Sequence, residues 1–280
     1  MSLNPNVQTA HVPRHERYPA TPAEVSESVV RIVIDFLLAL ILFVLTLPFL
    51  LLAALLVKLT SRGPILYTQV RVGRGGRPYR VYKIRTMVVD SEKNGACWAK
   101  AKDPRVTFVG RFLRKTHLDE LPQLWNVLLG DMSLLGPRPE RPEFIPGLAA
   151  LIPHYRERLR VRPGVSGLAQ VQQGADTDVE SVRKKLAYDL WYVDNQSVWL
   201  DFRIAMATGL KLFGVPFSTL RWLFRFPSLE VVEEAYQSRV AVTVPQPEVF
   251  RSTEIQIPAS VLSSDPAYSQ QLILNPSEQG

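Results

Sequence analysis

The longest unbroken apolar stretch runs from Phe36 to Val57, FLLALILFVLTLPFLLLAALLV, 22 residues without a charge. A membrane-crossing helix needs about 20 such residues, and a core helix rarely stays apolar all the way round. The run therefore predicts membrane insertion. Pro48 falls in its middle, where it cannot donate a backbone hydrogen bond and its ring clashes with the carbonyl of Val44, so a kink or break is expected there. Arg31 precedes the run and Lys58 and Arg62 follow it. Cationic flanks at both ends give little positive-inside asymmetry. A broken hairpin that enters and leaves on the cytoplasmic face satisfies both observations, with a kinked span as the alternative. Arg31 and Asp35 are spaced to pair at the point of insertion.

Downstream the pattern changes period. Ile65–Val72 and Tyr79–Met87 alternate as strands do, and Gly73, Gly75, Gly76 and Pro78 between them predict a hairpin turn. Alternation places Val81, Lys83 and Arg85 on one side. The glycine cluster lacks the Gly-Lys-Ser/Thr ending of a phosphate loop. Val88 to Thr107 reads as a polar loop. Leu121, Leu124, Trp125, Leu128 and Leu129 then follow the spacing of one buried helical face. With Asp119 as N-cap, Pro122 lies in the first turn, where its missing N–H costs nothing. Gly130 ends that helix. Leu151 to Val171 runs from a basic helical segment into a turn-rich loop, and Val179–Trp191 is helical. In Val198–Phe213 and Phe217–Phe226, aromatics interleave with Arg and Lys, which suits either a membrane interface or packing on the domain. The first residues carry no apolar period and read as a disordered arm, and the tail beyond about Glu230 reads as disordered or accessory.

Charge sharpens this picture. The chain carries a formal +7, and from Lys58 to Arg162 there are 21 Lys and Arg against 9 Asp and Glu, whereas from Phe226 onward there are 2 against 7. A basic core with an acidic tail points to an anionic partner for the core. Cys97 is the only cysteine, which excludes an intrachain disulfide and a cysteine-based metal site. The histidines show no metal-ligand spacing.

The candidate chemistry lies between Arg111 and Glu140. Asp119 and Glu120 are flanked by Arg111, Arg114 and Lys115 upstream and by Pro-Arg138-Pro downstream. Acidic residues in a first helical turn often only complement the helix dipole, but that leaves the arginine-rich flanks unexplained. Carboxylates held among cations suit phosphate chemistry. A carboxylate can act as nucleophile and split one displacement into two.

TQVRVG (Thr68–Gly73), YKIRTM (Tyr82–Met87), LDELPQLWNVLLGDMSLLGPRPE (Leu118–Glu140), RPGVSGLAQV (Arg162–Val171) and YDLWYV (Tyr188–Val193), in that order, resemble the bacterial sugar transferases, the monotopic phosphoglycosyl transferases. The resemblance covers roughly Val29 to Phe213. It implies transfer of a phospho-sugar from a UDP-sugar to undecaprenyl phosphate, with release of UMP and a requirement for Mg²⁺, at the start of polysaccharide or glycoconjugate assembly. It casts Asp119 as nucleophile and metal-associated group, Glu120 as its catalytic partner, and Lys83, Arg114, Arg138 and Arg162 as substrate-binding cations; Arg85, on the same side of its strand as Lys83, is counted with them. The family's membrane hairpin usually breaks at Ser-Pro, whereas here the pair is Leu47-Pro48 with Thr46 adjacent.

The expected architecture is α+β and membrane-associated. It comprises an N-terminal arm (1–28), a re-entrant helix-break-helix (29–58), a mostly helical cytoplasmic catalytic domain with a small β-hairpin and interfacial amphipathic helices (59–226), and a largely disordered tail (227–280). The expected location is the cytoplasmic face of the bacterial inner membrane, with membrane lipid, the nucleotide sugar and the polyprenyl phosphate as partners. A homodimer is left open, and so is the identity of the sugar. Two other classes compete. A non-catalytic polybasic membrane-surface protein would explain the charge and the apolar run but not the adjacent carboxylates. A nucleic-acid binder fits the Arg-rich segments, but no nucleic-acid motif is present and no nucleic-acid partner is expected.

Overall fold

The computed structural model describes residues 24–89, 91, 103–174, 176 and 178–243. The arm before residue 24, much of the loop after Val89, and the chain beyond Thr243 lie outside the described residues, and with them most of the readings made for those segments.

The apolar run lies within one helix, α1 (Val29–Thr60), long and apolar enough to cross a membrane. Its large aliphatic side chains are mostly exposed, as those of a helix solvated by lipid would be. Pro48 sits inside it without interrupting the helical assignment, so the expected helix-break-helix is here one continuous element. Thr46 does not take up the carbonyl freed by the proline. Its hydroxyl donates to Leu42 O at 2.7 Å, in the preceding turn.

The rest folds against α1. Strands β1 (Leu66–Val72) and β2 (Pro78–Ile84) form the expected antiparallel hairpin, with Tyr67 opposite Lys83 and Arg71 opposite Tyr79. The turn between them needs positive φ at Gly75 and Gly76, which glycine adopts without steric cost. Helix α2 (Phe108–Thr116) is capped by Thr107, whose hydroxyl accepts from Gly110 N. Helix α3 (Gln123–Leu128) follows, and Gly130 beyond it takes a positive φ of 81°, as a C′ glycine does. Strands β3 (Ser133–Leu135) and β4 (Gly164–Ser166) pair in parallel. Helices α5 (Val179–Asp194), α6 (Val198–Leu212) and α7 (Phe217–Phe224) stand where they were expected, whereas α4 (Ile145–Leu151) was not foreseen and the basic segment after Leu151 forms a 3₁₀ helix, Tyr155–Arg160. The aromatic helices do both things the sequence allowed: Leu200, Ile204 and Leu220 enter the core, while Trp199, Phe202 and Trp222 stay exposed.

Three expectations need correction. The face assigned to α3 is not its buried one: Leu124 and Val127 are buried, whereas Trp125 and Leu129 are exposed. Trp125 instead lies 5.9 Å from Phe43 of α1, ring centre to ring centre. The arm is tied down by its last residues, through Val25 N to Arg160 O at 2.9 Å and Glu27 to Arg162 at 2.6 Å. The tail is not wholly irregular either. Helix α8 (Leu229–Thr243) buries Val232 and Tyr236 in the main core, and Tyr236 donates to Pro153 O at 3.0 Å. Leu229, Val232, Tyr236 and Val240 repeat at helical spacing, a signal that the polar residues around them had masked.

Both ends of α1 are fastened to this domain. Near its start, Arg31 donates to Leu135 O at 2.9 Å and faces Asp201 at 3.0 Å, while Asp35 accepts from Ser133 and meets Arg162 at 3.1 Å. At its other end, Arg85 donates to Ser61 Oγ at 2.9 Å and to Pro64 O at 2.6 Å. Between them, Ala39 packs with Val81 and Leu124, and Ala53 and Val57 pack with Ile84 and Leu113.

Candidate active site

The dyad is placed by a change of direction. Helix α2 ends at His117, which takes a left-handed conformation (φ 57°), and Leu118–Glu120 form one 3₁₀ turn before α3 begins at Gln123. Asp119 is thus not a helix N-cap, and Pro122 stands at the cap position itself. The nearby N–H groups are spent within the turns, Glu120 N on His117 O and Leu124 N on Leu121 O.

What holds the two carboxylates differs. Glu120 is clasped: Lys83 Nζ donates to its Oε1 at 2.7 Å, and Arg138 reaches Oε1 at 2.6 Å and Oε2 at 3.3 Å. Burial pushes its carboxyl upward, but Arg138 and Lys83 together outweigh this and hold it well below the usual range. Asp119 is buried, and its Oδ1 has no hydrogen-bond partner. Burial and then the adjacent Glu120 charge raise its carboxyl above the ordinary value, against Lys83, Arg114 and His117. Of the cations around the dyad, Lys83 and Arg138 bind Glu120 directly, whereas Arg114 acts on Asp119. Burial also lowers the Lys83 ammonium, although Glu120 opposes this.

Both carboxylates line a cleft of about 620 Å³. Lys83, Arg85, Arg114 and Arg138 line it too. Arg114 is aimed by a 2.8 Å bond from its Nε to Thr86 Oγ1. Arg85 lies past the end of β2, and its partners are the residues after α1 rather than the dyad. Arg162 is elsewhere: Glu27, Asp35 and Met132 O occupy its guanidinium, and it does not line the cleft. Its part is to join the arm, α1 and the segment before β3.

The loop carrying Arg138 is set from behind. Gly136 N donates to Ser166 O at 2.9 Å and Gly164 N to Pro137 O at 2.9 Å. The backbones touch, so that a Cβ on Gly164 would lie 2.1 Å from Gly136 N. Arg158, buried and paired with Asp189 at 2.7 Å, donates to Arg138 O at 2.8 Å. The sequence reading missed Arg158, Asp189, and the row Tyr67, Gln69 and Arg71, which also lines the cleft. The alternation of β1 held a signal for that row, because its odd positions share a face with Lys83.

Among the described residues no three His, Cys, Asp or Glu side chains converge as a metal cage. A hard cation such as Mg²⁺ does not need one, since it is held by one or two carboxylates plus substrate phosphates and water. The unpartnered oxygen of Asp119 fits that mode, whereas Glu120 is already engaged by two cations.

A family model described as bacterial sugar transferase matches residues 26–214. A UDP-N-acetylgalactosamine-undecaprenyl-phosphate N-acetylgalactosaminephosphotransferase of Aeromonas hydrophila is 48% identical over 174 residues, 62% of this chain and 41% of that protein. A UDP-glucose:undecaprenyl-phosphate glucose-1-phosphate transferase of Klebsiella pneumoniae is 42% identical over 181 residues, 64% of this chain and 39% of that one. The protein of the same description from Caulobacter vibrioides is 46% identical over 178 residues, 63% of this chain and 67% of its own length. This chain thus spans about two fifths of the first two relatives. The family match begins just ahead of α1, ends just past α6 and takes in the whole dyad region, and on that ground the chain belongs to the bacterial sugar transferase family.

Proposed function

We propose that this chain transfers a phospho-sugar from a UDP-sugar to undecaprenyl phosphate, releasing UMP, at the cytoplasmic face of the bacterial inner membrane. The observation that carries the reading is the contrast within the dyad: a buried Asp119 oxygen without a partner, in a cationic cleft, beside a Glu120 clasped by Lys83 and Arg138. The names of the relatives supply the donor and acceptor classes.

Asp119 attacks the phosphorus that carries the sugar. An aspartyl oxygen–phosphorus bond forms, the bond to the bridging oxygen breaks, and UMP leaves with that oxygen. A phosphate oxygen of the prenyl phosphate then attacks the same phosphorus and frees Asp119. Lys83, Arg114 and Arg138 supply positive charge to the phosphates, as phosphoryl transfer requires. Glu120 anchors two of these cations in the cleft. Mg²⁺, held by Asp119 and the diphosphate, would neutralise charge on the leaving group when bound.

Fastening at both ends of α1 supports a re-entrant seat. Arg31 and Asp35 at one end and the Ser61–Pro64 segment at the other bind the same domain, which favours a seat with both ends on one side of the bilayer. A straight span would carry one of those contacts across the membrane.

The test is single-turnover chemistry. With UDP-sugar and Mg²⁺ but no lipid acceptor, the protein should release at most one UMP per site and gain the mass of one phospho-sugar, as a covalent double displacement requires. Asp119→Asn should abolish both. Ternary-complex kinetics without an adduct would discard the covalent mechanism, and absence of UMP release from every UDP-sugar would discard the reading.

A further inference from the structure

Arg138 reaches both oxygens of Glu120, so the place of its backbone decides how that clasp closes. The four carbonyls from Pro137 to Glu140 are each tied to the body of the domain. Pro137 O accepts from Gly164 N at 2.9 Å, Arg138 O from Arg158 Nη2 at 2.8 Å, Pro139 O from Arg71 Nη1 at 3.0 Å, and Glu140 O from Val72 N at 3.0 Å. Pro137 and Pro139 fix φ on either side of Arg138 and bring no N–H of their own. Three of these ties come from the neighbouring strands β1 and β4. The tie on Arg138 itself is made by a charge brought in from behind.

Arg158, from the 3₁₀ helix after α4, is 4% exposed, and Asp189, from α5, is 2% exposed. Arg158 Nη2 is shared between Arg138 O and Asp189 Oδ2, the latter at 2.7 Å. Its Nη1 donates to Tyr155 OH at 2.9 Å, and the guanidinium lies over the Tyr155 ring at 5.3 Å. This is a costly place for charge: burial pushes the Asp189 carboxyl upward, against Arg158 and Lys185. Tyr155, Leu159, Leu186 and Leu190, close to the pair in sequence, belong to the main core. Apolar residues of similar volume commonly leave a fold as stable as a buried ion pair does, or more so. What they could not do is donate to Arg138 O. A planar guanidinium pairs with Asp189 and holds that carbonyl at once. The bond to Arg138, rather than stability, accounts for the buried charges.

We propose that Arg158, aimed by Asp189, is a positioning residue for the transfer: its bond to Arg138 O sets the reach of Arg138 to Glu120 and to the substrate phosphate. Neither Arg158 nor Asp189 lines the cleft. The proposal rests on the phosphoryl-transfer reading and on the role of Arg138 in it. The test is a double-mutant cycle in the full chain, read as UMP release in the presence of undecaprenyl phosphate. UDP-N-acetylgalactosamine and UDP-glucose, the donors named for two relatives, are tried first. Tyr155→Phe, Arg158→Met and Asp189→Leu together remove the pair and the hydroxyl it would leave behind. The triple variant should fold and melt close to the wild-type temperature. Its kcat should fall about tenfold, within the range that a small misplacement near the chemistry costs. KM for the UDP-sugar should change less than about twofold. In an Arg138→Ala background the same three changes should cost less than about a further twofold, because groups that act through one residue do not add. A full tenfold loss in that background would overturn the proposal, and so would unchanged kinetics of the triple variant alone. A triple variant that fails to fold would also overturn it, by assigning the pair to stability. If the wild-type protein releases UMP from no UDP-sugar, the functional reading itself falls, and this proposal with it.

Discussion

Asp119 and Glu120 are adjacent in sequence, but their surroundings move their carboxyls in opposite directions. Burial and the Glu120 charge raise Asp119, whereas Arg138 and Lys83 hold Glu120 low against its own burial. If Asp119 must be ionised to attack, activity should fall as pH drops through its raised pKa, so the acid limit of kcat/KM for the free enzyme lies above the usual aspartate value of about 3.9. Glu120→Gln removes a charge that raises Asp119 and frees two cations that lower it, so the limit should move to lower pH even as turnover falls. A limit that stays in place would show that another group sets it. The Glu120 ion pairs contribute stability above the unfolded carboxyl's pKa of about 4.3 and lose it as pH falls from there toward the depressed folded value. Arg138→Ala should lower turnover by about 10²-fold, the scale of losing one preorganised charge contact. Arg138→Lys should recover little of it, because an ammonium cannot span both Glu120 oxygens.

Among the elements, those with a strict period were legible. The hairpin, α5, α6 and the end of α3 at Gly130 stand where alternation, apolar spacing and glycine put them. The start of α3 was not, because the local pattern Asp-Glu-Leu-Pro fits an N-cap as well as the 3₁₀ turn that tertiary contacts impose. The outward face of α3 was misread for a different reason: beside a helix as apolar as α1, Trp125 finds an apolar partner in Phe43 without entering the core. Asp119, Glu120, Arg114 and Arg138 were visible as charges close in sequence, whereas Lys83, 37 residues before Glu120, was visible only through strand alternation and the resemblance. Arg162 was not resolved, since nothing local reveals that Glu27 and Asp35 claim it. Helix α8 gives a direct test. A chain cut after Thr243 should melt like the full chain, but one cut after Ser228 loses the burial of Val232 and Tyr236, about 1.5–3 kcal/mol for each side chain. Equal melting of the two would mean that α8 does not hold the domain. Gly164→Ala, which meets Gly136 N at 2.1 Å, should impair turnover by shifting the Arg138 loop; kinetics matching wild type would show that the loop absorbs the strain.

At the scale of the whole molecule, α1 and the domain that follows it share one polar seam. Arg31→Ala would leave Asp35 and Asp201 facing fewer cations in a buried place, and breaking a buried ion pair from one side costs about 3–5 kcal/mol. The variant should lose thermal stability in detergent far more than Lys58→Ala does. A tag placed before Val29 should stay shielded from an impermeant reagent in intact cells, as should one after Thr243; labelling of either from outside would refute the one-sided seat. The seam also imposes an order in time. Arg31 meets Leu135, Tyr192 and Gln196, which lie 104, 161 and 165 residues later in the chain. At ribosomal speeds of about 5–20 residues per second, α1 leaves the ribosome roughly 10–30 s before its last partners exist. With α1 seated as proposed, Arg31 and Asp35 would stay near water at the bilayer surface during that interval, and the helix would wait half-seated. A nascent chain arrested before Tyr192 should therefore wash off the membrane more readily than the finished protein, and attachment should tighten only when the last helices of the domain have been made.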